Sequence, residues 1–227
     1  QSGQYKVYKD TIRDHNRHGW GKISYLEGFQ RSSNTAMTNL LDIMGWETYE
    51  SYIKEFGFGQ KTGIDLPNEA SGIINSRYPL EKYTTTFGQG STVTPIQLIQ
   101  GITAIANNGE MMQPYVIDKI VNPNTGEIIV DSEPTKKGQP ISADTAKKAR
   151  ELLASTVYGE AGNAKRFQIE GYKVAGKTGT AQMPKASGVG YDWGKNEFLY
   201  SFLGMAPMED PQLVMFISVA KPKLGET

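Results

Sequence analysis

Three β-rich runs, Tyr172 to Gln182, Phe198 to Ala206 and Gln212 to Lys221, occupy the last third of this 227-residue chain and restrict its folds more than any other feature. The last two are joined by the short turn Pro207-Met208-Glu209-Asp210-Pro211, a connection that suits antiparallel pairing. Ahead of them the periodicity is helical. Ser33 to Met44 places Ala36, Met37, Leu40, Leu41 and Met44 at helical spacing, with Ser32 or Ser33 at its N-cap. A second helix is expected from about Glu47 to Phe56, with Tyr49, Tyr52, Ile53 and Phe56 as its buried stripe and Gly57 and Gly59 stopping it. Thr94-Pro95, a cap followed by proline at the first helical position, opens a buried helix through Ile96, Ile99, Ile102 and Ile105 that ends at Asn107-Asn108-Gly109. Another runs from Ser142 to about Tyr158 and turns Ala146, Ala149, Leu152, Leu153 and Val157 inward. Residues 60 to 95, rich in Gly, Pro, Thr and Asn, read as a long irregular excursion, and Tyr115 to Val121 with Glu127 to Val130 as a hairpin. Helices first and consecutive strands last predict an α/β chain of the α+β kind. A mainly helical subdomain with a hairpin spans about 1–165, and an antiparallel sheet spans about 166–227.

Composition removes several kinds of chemistry. Lys plus Arg and Asp plus Glu both total 24, a neutrality that gives no support to a nucleic-acid partner. There is no Cys, which excludes thiol nucleophiles, disulfide scaffolds and Cys-ligated metals. His15 and His18 are the only histidines, and an i, i+3 pair with no nearby carboxylate beyond Asp14 reads as a surface feature rather than a metal site or a triad base. The longest apolar run, Leu213 to Ala220, falls well short of the ~20 residues that span a bilayer.

Two short patterns carry the chemistry: Ser32-Ser33-Asn34 at the head of the first helix, and Lys177-Thr178-Gly179 inside a strand. K-T-G also occurs at Lys61-Thr62-Gly63, but that copy lies between Gly57-Phe58-Gly59 and Ile64-Asp65-Leu66-Pro67 and reads as a turn. In a strand, Thr178 and Thr180 point to one face and Lys177 to the other, with nothing at Gly179. A glycine lets an extended peptide lie against the strand. An edge strand would also present outward N–H groups, including that of Thr180, to a peptide or an oxyanion. Two hydroxyls and an ammonium suit a carboxylate. Taken alone, Ser32 and Asn34 are explained by helix capping, and the threonines and lysine by an edge strand facing water.

In this order the two patterns resemble the S-x-x-K, S-D-N, K-T-G set of penicillin-binding proteins and β-lactamases, with Ser-Ser-Asn as the middle element. The likeness extends to Phe29-Gln30-Arg31-Ser32-Ser33-Asn34, Phe56-Gly57-Phe58-Gly59 to Pro67, Phe87-Gly88-Gln89-Gly90 to Gln97, Ala106-Asn107-Asn108-Gly109 to Pro114, and Ala175 to Gln182. These segments resemble the transpeptidase domain of penicillin-binding proteins, in wording similar to the class B enzymes of Gram-positive bacteria and cell division. The resemblance implies a β-lactamase-like fold and a D,D-transpeptidase that joins peptidoglycan stem peptides ending in D-Ala-D-Ala and is trapped by β-lactams. It implies Ser32, Asn34 and Lys177 as catalytic residues and Thr178, Gly179, Thr180 and Gln182 as substrate-binding ones, with no metal or cofactor. Lys177 would lie beneath the cleft bonded to Ser32, Asn34 would hold the substrate amide and the lysine of the nucleophile motif, and Thr178 and Thr180 the terminal carboxylate. The implied place of work is the outer face of the bacterial cytoplasmic membrane, anchored by a segment outside this chain, with division proteins as further partners.

The family's S-x-x-K nucleophile precedes S-x-N by several tens of residues, whereas only 31 residues precede Ser32 here and none form that motif. The one match, Ser51-Tyr52-Ile53-Lys54, stands in the wrong order, off the buried stripe, with Glu50 and Lys54 as an i, i+4 ion pair. The nucleophile is therefore expected on a preceding part of the same protein or on a separate chain, and the family's closing helix beyond Thr227. Alternatives of the same fold are a β-lactam sensor or inactive division scaffold, and a hydrolase, the latter disfavoured because residues 60 to 90 hold no E-x-x-x-N deacylation element. Ser187-Gly188-Val189-Gly190 with Tyr191 and Trp193 is expected to form a mobile rim.

Overall fold

A computed structural model describes residues 2–185, 187, 190–191 and 197–223. The chain opens with an antiparallel hairpin, β1 (Gln4–Val7) against β2 (Asp10–Arg13), followed by α1 (Tyr25–Gln30), α2 (Asn34–Met44) and α3 (Trp46–Glu55). Next come α4 (Pro79–Thr85), α5 (Pro95–Ala106), β3 (Met111–Met112), β4 (Lys119–Val121), β5 (Ile128–Asp131), β6 (Lys136–Gly138) and α6 (Ala143–Tyr158). A 3-10 turn at Lys165–Phe167 leads into β7 (Ala175–Gln182), β8 (Phe198–Ala206) and β9 (Leu213–Ala220). Among the described residues β7, β8 and β9 form a three-stranded antiparallel sheet in that order, which leaves β7 at an edge.

The caps explain where the long helices start. Ser33, Thr94 and Ser142 each accept a hydrogen bond from a backbone N–H in the first turn of α2, α5 and α6, and Gln97 returns a side-chain acceptor to the Thr94 N–H. Sheet and helices then meet in two apolar clusters. Ile102 of α5 and Leu153 and Ala154 of α6 bury against Ala175 and Met205. Val157, Ala164, Val174 and Phe202 make the second, where Phe167 stacks on Phe202 with ring centroids 3.8 Å apart. Fully burying a side chain of this size stabilises by roughly 1.5–3 kcal/mol, so these contacts hold β7 firmly against α6. Residues directly opposite in an antiparallel pair share a face. Ala175, Lys177, Leu203 and Met205 therefore share the face packed on α5 and on Leu153 and Ala154 of α6, while Thr178 and Phe202 lie on the other face, where Val157 at the end of α6 and Phe167 cover Phe202.

Several expectations need correction. Ahead of α1, where no element is expected, stands the β1–β2 hairpin, whose turn places Tyr8 at φ 51° with no glycine to announce it. The excursion from 60 to 95 contains α4, which starts at Pro79 with Glu81 folding back onto the Tyr78 N–H, and an Ile73–Thr92 bridge. α3 buries none of its residues and leaves Tyr52 exposed. On α5 the most buried face carries Gln97, Gln100, Gly101, Ile102 and Ala104, with Ile96, Ile99 and Ile105 only partly buried. The reason is the excursion lying on it: Gln97 Nε2 donates to the carbonyls of Gln60 and Ser71 at 2.6 and 2.7 Å, and Gln100 Nε2 to that of Thr62. Buried loop carbonyls need donors, which isoleucine lacks. On α6 Arg150 is buried as well, donating to the Ile105 carbonyl at 2.7 Å. The hairpin is shorter than expected, and its strands β4 and β5 are exposed throughout. β3 pairs with β6 across it.

Candidate active site

Ser32 sits between α1 and α2 with φ 53°, in the left-handed region that costs a non-glycine residue about 1 kcal/mol. Its N–H closes α1 on the Phe29 carbonyl at 3.0 Å, and the next N–H, of Ser33, reaches that of Gly28 at 2.8 Å. Ser33, not Ser32, then caps α2 by accepting from Ala36 N–H at 3.1 Å. Behind the cap lies Asp14, 1% exposed, whose carboxylate accepts from the Ser33 hydroxyl at 3.0 Å, the Thr35 N–H at 3.0 Å and the Thr35 hydroxyl at 2.9 Å. A buried carboxylate at a helix N-terminus is favoured by the orphan N–H groups there. The capping is thus done by Ser33 and Asp14, and the Ser32 side chain is left to face outward.

It faces Lys177. The ammonium of Lys177, on the helix-facing side of β7, donates to Ser32 Oγ across 145 residues of sequence and to the Thr178 carbonyl at 3.2 Å. Nζ also stands 5.8 Å from the centroid of the Phe29 ring. Burial pulls the lysine down from its ordinary 10.5 to about 8. Asn163, in the loop after α6, donates from Nδ2 to Ser32 Oγ at 2.9 Å and accepts at Oδ1 from the Thr178 hydroxyl at 3.2 Å. Nothing in the sequence singles out Asn163: a lone Asn in Ala161-Gly162-Asn163-Ala164 reads as an ordinary loop residue.

The edge of β7 is open in a definite way. Thr156 of α6 donates from its hydroxyl to the Gly176 carbonyl at 2.6 Å, so that carbonyl points away from β8. Backbone groups two residues apart share a side of the strand. The N–H groups of Thr178 and Thr180 therefore point outward with it, the second as expected for a peptide-binding edge. A Cβ at Gly179 would come within 2.5 Å of Ser201 Oγ, so the glycine accommodates the neighbouring strand as well as opening the surface.

Ser32, Asn34, Asn163, Lys177, Thr178, Gly179, Thr180 and Gln182 all line one cleft of about 1620 Å³. Arg13, His15, Phe87 and Tyr191 line the same cleft. Asn34 reaches the cleft, but its Nδ2 donates to the Arg13 carbonyl at 2.9 Å rather than to Ser32 or Lys177. Of the expected rim, Tyr191 borders the cleft, whereas Gly188, Val189 and Trp193 lie outside the described residues. The other two motif matches stand elsewhere. Ser51 donates to Glu55 at 2.8 Å on the outside of α3, beside the Lys54–Glu50 pair at 3.3 Å. Thr62 and Gly63 bind the Glu69 carboxylate in a turn.

Comparisons with known proteins fit this geometry. The family profile of the penicillin binding protein transpeptidase domain matches residues 1–227. Stage V sporulation protein D of Bacillus subtilis is 40% identical over 224 residues, covering 97% of this chain and 34% of that protein. The crystal structure of penicillin binding protein 2X from Streptococcus thermophilus superposes with a TM-score of 0.89 at 31% identity, covering 99% of this chain and 34% of that one. Penicillin binding protein 3 from Mycobacterium tuberculosis, solved in complex with aztreonam, gives 0.87 at 29% identity, with 97% and 50% covered. The chain thus spans about a third of the length of the curated relatives it matches.

Proposed function

Since this chain belongs to the penicillin-binding protein transpeptidase family, we propose that the protein carrying it cross-links peptidoglycan stem peptides by serine acyl transfer. The observation that carries the reading is the Lys177–Ser32 hydrogen bond at the floor of a cleft bordered by an open strand edge. A serine nucleophile, contributed by residues outside this chain, attacks the carbonyl carbon between the two terminal D-alanines. The C–N bond breaks, the last D-alanine leaves as an amine carrying the proton that the serine gave up, and an amine from a neighbouring stem takes the acyl group and frees the serine.

This chain's residues serve that sequence in distinct ways. Lys177, with a pKa of about 8, holds a cation next to the nucleophile's own lysine and lowers that lysine's proton affinity, while still exchanging protons near neutral pH. Ser32, bonded to Lys177, relays a proton to the leaving amine. Asn34 binds the substrate amide. Thr178 and Thr180 take the terminal carboxylate, the Thr180 N–H stabilises the oxyanion, and Gly179 and Gln182 continue the edge along which the peptide lies. The two apparent subdomains, about 1–165 and 166–227, are the two walls of this one cleft. β-Lactams enter the same groove and acylate the same serine. The proposed place of work is the outer face of the cytoplasmic membrane; among the described residues no helix is long and apolar enough to cross a membrane.

A fluorescent penicillin tests this. The full-length protein is expected to take a stable covalent label, Ser32→Ala to slow labelling by about 10²-fold with folding unchanged, and the isolated 227-residue chain to take none. Rapid release of the label would indicate a hydrolase, and no label a scaffold. Exchange of an added D-amino acid into a stem-peptide analogue separates a transferase from a sensor.

A further inference from the structure

The loop after α6 is held more rigidly than its exposure suggests. Ala164, fully buried, donates its N–H to the Thr156 carbonyl at 3.0 Å, and Gly162 donates to the Gly159 carbonyl at 3.0 Å. Gly162 packs so closely that a Cβ would lie 2.3 Å from the Thr156 carbonyl oxygen. The Thr156 hydroxyl in turn binds the Gly176 carbonyl, one residue before Lys177. A single residue of α6 thereby fixes both the loop that carries Asn163 and the strand that carries Lys177. From there Asn163 reaches around the edge of β7, touching Thr178 on one face and Ser32, the partner of Lys177, on the other.

We propose that Asn163 is a positioning residue that sets the direction of the Ser32 hydroxyl proton. A hydroxyl oxygen has two acceptor sites and one proton to give. Lys177 Nζ and Asn163 Nδ2 fill both acceptor sites of Ser32 Oγ. The proton is left to point into the cleft, where a leaving amine stands. This rests on the proposed relay role of Ser32: as the scissile C–N bond breaks, Ser32 Oγ gives its proton to the departing nitrogen and is reprotonated from the Lys177 ammonium, and Lys177 regains a proton from the nucleophile's own lysine, which holds the one the attacking serine gave up. Without Asn163 the hydroxyl can turn its hydrogen aside, and the transfer loses its aim while substrate binding is kept.

The test uses the full-length protein and reads the acylation rate by a fluorescent penicillin, whose ring nitrogen needs the same proton. Asn163→Ala should slow acylation about tenfold at saturating penicillin and change the preceding binding constant less than about twofold. Asn163→Asp, which keeps the acceptor for Thr178 but has no donor for Ser32, should be slowed as well. In a double-mutant cycle, Ser32→Ala with Asn163→Ala should be no slower than Ser32→Ala alone, because Asn163 acts only through that hydroxyl. Unchanged kinetics in either Asn163 variant, or losses that add in the double variant, would overturn the inference. An unsubstituted protein that is not acylated would instead sink the functional reading beneath it.

Discussion

Lys177 pairs its ammonium with a neutral hydroxyl, and burial lowers its proton affinity to about 8. The unfolded lysine, at its ordinary 10.5, binds a proton more tightly than the folded one, so folding is penalised wherever both are charged. That penalty is fully present below about pH 8, fades between 8 and 10.5, and is gone above, with a size of about 3 kcal/mol. Lys177→Met should accordingly be the more stable protein at pH 7, and its advantage should shrink as pH rises toward 10.5, as read by urea unfolding across that range. An advantage that stays flat would mean the charge is better solvated than its surroundings indicate. At this scale Ser32 and Lys177 were legible from their triplets, since a hydroxyl at a helix entry and an ammonium on a glycine-bearing strand are distinctive in combination. Asn163 was not, because its role comes from a loop wrapped around a strand edge, and no local pattern encodes that.

Among the elements, the entry to α2 bears the most weight. Asp14 takes three donors there from Ser33 and Thr35, out of contact with water. Asp14→Ala would strand those donors beneath the hairpin, and a loss of about 3 kcal/mol is expected in urea unfolding, with slower acylation of the full-length protein because Ser32 shifts with the cap. A loss below about 1 kcal/mol would mean that water replaces the carboxylate. The long helices were readable because capping residues and apolar spacing agreed, as at Ser142 ahead of Ala146 and Leu153. α4 is not legible in the sequence because seven residues, Pro79–Thr85, are too few to show a period inside a stretch of Gly, Pro and Thr. The isoleucine spacing does not mark the inward face of α5 because its neighbour is loop backbone, which selects Gln97 and Gln100 for their amides over the isoleucines. Short pairings such as β1–β2 and β3–β6 depend on residues brought together by the rest of the fold, and two to four residues per strand leave no alternation to read.

Across the whole molecule, the sheet is covered unevenly. α5 and α6 pack on the face that holds Ala175 and Met205, whereas Leu213, Met215, Ile217 and Val219 of β9 are each 45–54% exposed. An apolar edge strand of this kind invites pairing with another chain. The isolated chain is expected to self-associate at micromolar concentration, and Ile217→Thr with Val219→Thr, which keep β-propensity, should shift it toward monomer in light scattering. A monodisperse unsubstituted chain would contradict this. The separation of Ser32 from Lys177 has a consequence in time as well. A ribosome adding roughly 5–20 residues per second delivers the lysine on the order of ten seconds after the serine. Until then the polypeptide holds one half of a chemical pair, and on the proposed function a product truncated before β7 is expected to be inert toward the cell wall and toward antibiotics alike.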